Sequence, residues 1–253
     1  MAMQYVEGQL RKRGQGSLAD RIRDVRREYI HRGHGKDIDF PGTTGKAQEV
    51  APERALPDRL QRIQATFELL TKVREPLPSE REALLAKGFV FFSIEAKSLS
   101  IIVAENQDYF WRGESDFIKA RFQLRDYTPP AMVVGMNPTQ LAIEDSFNES
   151  QARQLELIEK YSAQHIEPDS PGAKAIMLPA SVYAQADLTY ARERDGEKLF
   201  KNFYARALDQ SLGQYVTFIG RDEPNYRLDV RSWLADDGRS VVRAVPAVVF
   251  LQK

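Results

Sequence analysis

The sequence predicts an α+β fold, with helices in the first half of the chain and strands in its last third. Apolar residues recur at helical spacing in the region 56–86, which indicates amphipathic helices. Short apolar runs rich in valine and phenylalanine cluster after residue 214, which indicates strands. The order of helices first, a mixed middle and strands last differs from the strict alternation of a parallel βαβ fold.

Composition excludes several classes of protein. The chain has 253 residues, of which 42% are hydrophobic and 28% charged, as in a soluble globular protein. Its 36 basic residues balance 36 acidic ones, so no net field attracts nucleic acid or an anionic membrane. The sequence contains no cysteine, which excludes disulfides and thiolate chemistry, and its three histidines are too few for a histidine-rich metal site.

No apolar run is long enough for a secretory signal or a membrane span. The default expectation is therefore a cytoplasmic protein without a membrane partner. A cysteine-free chain also suits a particle component or a cell-surface protein that is exported by another route.

We divide the chain into an N-terminal arm, residues 1–55, and an α+β domain, residues 56–253. The arm is glycine-rich and basic, and it carries one helical signal in which Ser17 caps a stripe through Leu18 and Ile22. Acidic residues interrupt its basic ones, which favours a solvated amphipathic arm over nucleic-acid contact. A helix this short needs a surface to dock on, either the domain or another chain.

Two helices are predicted at the start of the domain. The first begins at Leu56, and its apolar stripe consists of Leu60, Ile63, Phe67 and Leu70. The second is short, with Ser79 as its N-cap, Glu82 completing the capping box and Gly88 at its C-terminal stop.

The middle of the chain is predicted to mix strands and helices. Apolar runs at 89–95 and 98–105 predict a hairpin or two adjacent strands. Further strands are predicted at 119–127, 131–136 and 173–179, and helices at 148–164, 180–196 and 197–213.

The C-terminal segment predicts a hairpin with a polar outer face. A strand at 226–234 is followed by the turn signal Asp237-Gly238 and by a returning strand in which Pro246 requires an edge or a bulge. The candidate ligand-binding residues are Tyr226, Asp229, Arg231, Ser232, Trp233, Asp236, Asp237, Arg239, Ser240 and Arg243. Tryptophan and arginine contribute much of the energy of binding surfaces. The alternative is the solvated face of an ordinary sheet.

Catalytic motifs are absent from the sequence. The stretch GTTGKA at 42–47 has two residues between its glycines where a phosphate loop needs four, and no G-x-S-x-G elbow occurs. Paired carboxylates could hydrolyse glycosides if they faced each other across a cleft. The acidic candidates are Glu114, Asp116, Asp126, Glu144, Asp145, Asp236 and Asp237. We expect no catalytic residue, metal or cofactor, and an uncharacterised carboxylate-based hydrolase is an alternative.

The C-terminal segment also resembles a known family. The residues that carry the resemblance are Arg227, Leu228, Val230, Trp233, Asp236, Val242, Pro246 and Val248. They resemble the end of C-type-lectin-like domains of the formylglycine-generating-enzyme type, above all the variable proteins diversified by retroelements. The match is confined to the segment after Asn225.

The resemblance implies a helical N-terminal half packed on a C-type-lectin-like domain with small twisted antiparallel sheets. It also implies a binding or display module whose C-terminal surface takes a protein or glycan partner. The catalytic cysteines of the enzyme branch are absent, so the resemblance implies a binder and not that oxidase. The alternative is a structural or assembly protein, such as a particle component, whose arm contacts a neighbour in a homo-oligomer.

Overall fold

A computed structural model describes residues 55–111, 127–210, 215–223 and 226–252, with no side-chain detail for 55–57 and 210. The predicted arm lies outside these ranges apart from its last residue, so the division of the chain at residue 55 stays a prediction. The predicted strand at 119–127 lies outside them except for Tyr127. The acidic candidates Glu114, Asp116 and Asp126 lie outside them as well.

The α+β class is confirmed. The described residues form five α-helices and two four-stranded sheets, with the helices mostly earlier in the chain. The helices are α1 Ala55–Leu70, α2 Pro78–Leu85, α3 Leu99–Glu105, α4 Gln151–His165 and α5 Ala180–Glu193, with a 3₁₀ turn at Glu144–Ser146. The strands are β1 Val90–Ile94, β2 Met132–Met136, β3 Ala173–Ile176, β4 Tyr204–Gln210, β5 Tyr215–Gly220, β6 Asp229–Leu234, β7 Val242–Arg243 and β8 Ala247–Phe250.

The first sheet has the order β1-β2-β8-β3, and all its neighbouring strands are antiparallel. Strand β8 is therefore internal, with Val248 opposite Gly135 on one side and Ala175 on the other. The second sheet has the order β6-β5-β4-β7, in which only the β4–β7 pair is parallel.

Helix α5 lies at the centre of the main hydrophobic core. Most of its residues are buried, including Tyr183 and Asp187, and it contacts β1 of the first sheet and β4 and β5 of the second. Its many alanine residues and other apolar side chains suit such an interior position, and its buried polar residues include Ser181, Gln185 and Asp187. Its end is marked by Asp195 and Gly196 with positive φ angles of 51° and 87°, as the Asp-Gly stop in the sequence predicts.

Two predicted elements are wrong. The run 98–105 forms helix α3 instead of a strand, because Leu99, Ile102 and Val103 bury one helical face. In place of the helix predicted at 197–213, the described residues 197–210 form a loop followed by strand β4. Residues 204–209 of β4 are all buried, so its apolar residues do not alternate with exposed ones, and Ala207 and Leu208 fit the buried stripe of a helix equally well.

Helix α2 is confirmed, but its predicted cap is wrong. The N-cap is Leu77, whose backbone N–H donates to the Glu80 carboxylate at 2.8 Å, so neither Ser79 nor Glu82 has the predicted role. Gly88 follows the helix with φ of 83°, as its predicted stop position requires.

The predicted C-terminal hairpin is also wrong. Strand β6 pairs with β5, whereas β7 pairs with β4 at the opposite edge of the second sheet and β8 belongs to the first sheet. Residues 235–241, which we call the crossing segment, therefore run from one edge of the second sheet to the other. Pro246, which has no backbone N–H to donate, lies where the chain changes sheets.

Candidate functional site

The candidate site is built on strand β6, an edge strand of the second sheet. Alternation along the strand places Asp229, Arg231 and Trp233 on one face and Ser232 on the other, level with Thr217 of β5. Residues two apart in a strand are separated by roughly 7 Å, so Arg231 and Trp233 are neighbours on this face.

Arg231 is held by a network of polar contacts. Its Nε donates to the Asp229 carboxylate at 2.5 Å and its Nη2 to Asp222 at 3.2 Å. The Tyr204 hydroxyl donates to Asp229 at 2.9 Å, and the guanidinium lies 5.1 Å from the centre of the Tyr204 ring. Burial opposes the charge of Arg231, but the neighbouring carboxylates outweigh it and raise its pKa. The side chain is nevertheless 46% exposed, so a partner meets a guanidinium already fixed in place.

Trp233, Asp237 and Arg239 form a second group, which we call the tryptophan cluster. The guanidinium carbon of Arg239 lies 3.6 Å from the centre of the Trp233 ring, a cation–π contact. The indole N–H donates to the Asp237 carboxylate, and Arg239 Nε lies 3.9 Å from the same carboxylate. Trp233 is 37% exposed, so the cluster presents an aromatic ring and a guanidinium at the surface in one arrangement.

The crossing segment fixes the backbone beneath this cluster. The Asn148 N–H donates to the Arg239 carbonyl at 3.0 Å, and the Gln151 N–H donates to the Ala235 carbonyl at 2.8 Å. A Cβ atom at Gly238 would lie 2.1 Å from the Asn148 carbonyl oxygen, closer than any real contact. Only glycine permits this approach, so the segment is tied closely to the start of α4.

Arg206 on β4 supports the same segment from inside, a role that the sequence analysis did not predict. Its Nη1 donates to the Ala235 carbonyl at 3.2 Å, and its Nη2 donates to the carbonyls of Glu149 and Asp237 at 3.1 and 3.0 Å. Burial lowers the pKa of Arg206 to about 10, which leaves the group charged at neutral pH. The residue was missed because its segment was interpreted as a helix.

The remaining predicted residues are spread around this surface. Tyr226, Asp236 and Ser240 are exposed. Arg243 lies apart, on β7 at the opposite edge of the sheet, with its guanidinium 5.8 Å from the ring of Phe147. Three strand spacings of about 4.8 Å separate the two edges. The structure therefore brings together Arg231 and the tryptophan cluster but not Arg243.

A buried ion pair supports the loop before β6. Arg221 and Asp187 are both fully buried, and Arg221 donates to the two carboxylate oxygens at 3.0 and 2.6 Å. The Arg221 Nε donates to the Tyr226 carbonyl at 2.8 Å, which fixes the backbone of that exposed tyrosine. The sequence analysis did not single out either partner, because nothing in the local pattern distinguishes a buried charge from a surface one.

A concave feature lies between α1, α4 and β3, apart from this surface. This cleft of about 310 Å³ contains Asp58 and Glu159, and both carboxylates pair with Arg62. None of the acidic candidates from the sequence lines it. Within the described ranges, no group of three or more histidine and acidic residues could hold a metal ion. No helix in the same ranges is long and apolar enough to cross a bilayer.

Comparisons of the chain with protein-family models, with curated proteins and with solved structures give no match.

Proposed function

We propose that this chain is a ligand-binding module, and that a protein or glycan partner binds the surface formed by Arg231 and the tryptophan cluster. The observation that carries the proposal is the stacked pair of Trp233 and Arg239, exposed but fixed by Asp237. Tryptophan and arginine dominate the energy of binding surfaces. Side chains that are already ordered lose less entropy when a partner binds, which favours affinity.

The pattern of burial along the segment supports a display role. Leu228, Val230, Ala235 and Val242 are at most 2% exposed, and the polar or aromatic site residues lie between these frame positions. Substitutions at the exposed positions would therefore change the surface without disturbing the core. Leu228, Val230 and Val242 also carry the resemblance to retroelement-diversified variable proteins, which implies a fixed frame with exchangeable side chains.

The test compares the wild-type protein with a variant that combines Arg231→Ala, Trp233→Ala and Arg239→Ala. Both proteins are screened against a glycan array and a random-peptide library, and each enriched ligand is titrated by calorimetry. We expect at least one ligand whose affinity falls by more than about tenfold in the variant, because hot-spot truncations typically cost 2 kcal/mol or more.

A matched control carries one tryptophan and two arginine substitutions elsewhere: Trp111→Ala, Arg81→Ala and Arg192→Ala. Trp111 is 52% exposed and lies near the beginning of β6, away from the tryptophan cluster. We expect this control to bind like the wild type. Identical ligand profiles for the wild type and the site variant would contradict the proposal. The assembly alternative depends on residues 1–55, most of which lie outside the described part of the chain.

A further inference from the structure

Two buried arginines lie behind the crossing segment, although neither reaches the proposed binding surface. Arg59 on α1 is 3% exposed and Arg206 on β4 is 1% exposed. A buried guanidinium is costly unless hydrogen bonds or opposite charges compensate it. Their placement therefore calls for a structural partner, and for both residues that partner is the crossing segment.

Arg206 compensates its burial with carbonyl groups of the polypeptide. Two of its three acceptors belong to the crossing segment, namely the carbonyls of Ala235 and Asp237. The third, from Glu149, belongs to the loop before α4. The Arg206 side chain therefore joins the crossing segment to the loop before α4. One of its partners is Asp237, whose carboxylate accepts the indole N–H of the tryptophan cluster.

Arg59 reaches the same segment from the first helix. Its Nη1 lies 3.8 Å from the Asp236 carboxylate, the position before Asp237. Its Nε and Nη1 make no hydrogen bond within the described part of the chain, so the Asp236 carboxylate compensates the charge of Arg59 without a hydrogen bond from these two atoms. Asp236 is 64% exposed on its side chain, so added salt should weaken the pair.

We propose that Arg59 and Arg206 are positioning residues that hold the crossing segment and thereby set the geometry of the tryptophan cluster. The chain of contacts runs from Arg59 through Asp236 to Asp237, which accepts the indole N–H of Trp233. This inference deepens the proposed function and rests on it for its biological meaning. Its test needs no ligand, so its failure and the failure of the binding proposal are separate results.

The test uses a Trp111→Phe background, in which Trp233 is the remaining tryptophan. In this background, Arg59→Gln should raise the acrylamide quenching constant of Trp233 roughly twofold, because a cluster released from its anchor populates open arrangements more often. The control is Arg62→Gln on the same helix, whose side chain pairs with Asp58 and Glu159 instead. It should leave the quenching constant unchanged.

Two further variants separate positioning from general loosening of the fold. Arg59→Lys keeps the positive charge beside Asp236 and should restore most of the wild-type quenching. Asp236→Asn should reproduce the effect of Arg59→Gln, and the double variant should add nothing further, as expected for two partners in one interaction. Thermal unfolding of each variant shows whether the fold is retained.

Two results would overturn the inference. One is wild-type quenching in Arg59→Gln. The other is an equal increase in Arg59→Gln and Arg62→Gln, which would show that any lesion in α1 loosens the molecule. Arg206→Met provides a second measurement and should increase quenching more than Arg59→Gln, because it removes three hydrogen bonds at once.

Discussion

Replacing Asp187 with asparagine should destabilise the folded protein more than any single exposed substitution. The carboxylate lies on α5 with no solvent exposure and accepts five hydrogen bonds. Two come from Arg221, one from the Tyr109 hydroxyl at 2.8 Å, and two from the backbone N–H groups of Leu199 and Phe200. Asparagine keeps the shape but removes the charge that balances Arg221.

The magnitude follows from the burial of both partners. Removing one member of a buried ion pair leaves the other charge uncompensated and costs about 3–5 kcal/mol. The asparagine NH₂ group would also face guanidinium N–H donors, so it cannot replace the lost acceptor. For a domain of this size each kcal/mol lowers Tm by about 2–4 °C. The expected loss in Tm is therefore about 6–20 °C. The underlying cost of about 3–5 kcal/mol is a large part of a typical free energy of unfolding, which is about 5–15 kcal/mol.

The assay is urea unfolding followed by circular dichroism, with Tm measured by calorimetry. Lys201→Met is the control, because it breaks an exposed pair with Glu197, and it should leave the transition unchanged. A double variant that combines Asp187→Asn with Arg221→Met should be more stable than Asp187→Asn alone, because it leaves no lone buried charge and keeps an amide oxygen that accepts from the Leu199 and Phe200 N–H groups. A cost below about 1 kcal/mol for Asp187→Asn would refute the reasoning.

Three further outcomes are expected. Gly238→Ala should cost about 1–3 kcal/mol in urea unfolding, because its methyl group would strike the Asn148 backbone. Gly196→Ala meets no atom within 4 Å and should cost only its backbone strain of about 1 kcal/mol, so equal costs for the two variants would contradict this prediction. Burial raises the pKa of the Tyr109 hydroxyl, so above about pH 10 the unfolded chain loses the hydroxyl proton before the folded protein does. The free energy of unfolding should therefore be unaffected below that pH and decrease above it, and Tyr109→Phe should reduce this decrease in an alkaline titration of unfolding. Gln154→Ala removes a buried amide that donates to two backbone carbonyls, and it should cost about 1–3 kcal/mol in urea unfolding. An unchanged urea midpoint would contradict this prediction and show that those carbonyls find other donors.

Much of the fold can be predicted from the sequence, because the elements with clear periodicity or clear end signals form where they are expected. Helix α1 follows its stripe, and β2 and β5 follow short apolar runs. The errors fall where one pattern suits two structures. The run at 99–105 is rich in β-branched residues but has helical spacing, and β4 is buried on both faces, which erases the alternation that marks a strand.

The candidate site was predictable in its residues but not in its geometry. Arg231, Trp233 and Arg239 stand out by residue type, and the structure brings them to one surface region. The strand pairing was not predictable, because an Asp-Gly signal shows where the chain turns but not with which strand the following segment pairs. Arg59 and Arg206 were missed because burial of an arginine depends on contacts between distant segments.

The central position of β8 has a consequence for synthesis of the protein. Its residues Ala247–Phe250 lie between β2 and β3 and pair with both, so neither strand has this partner until β8 has left the ribosome. The nascent chain must therefore carry an unfinished sheet, with apolar side chains exposed, from the synthesis of β2 until β8 has emerged. Such chains are prone to misassembly, and pairing over long sequence distances slows folding. We expect chaperones to bind the emerging polypeptide and to release it once β8 is in place.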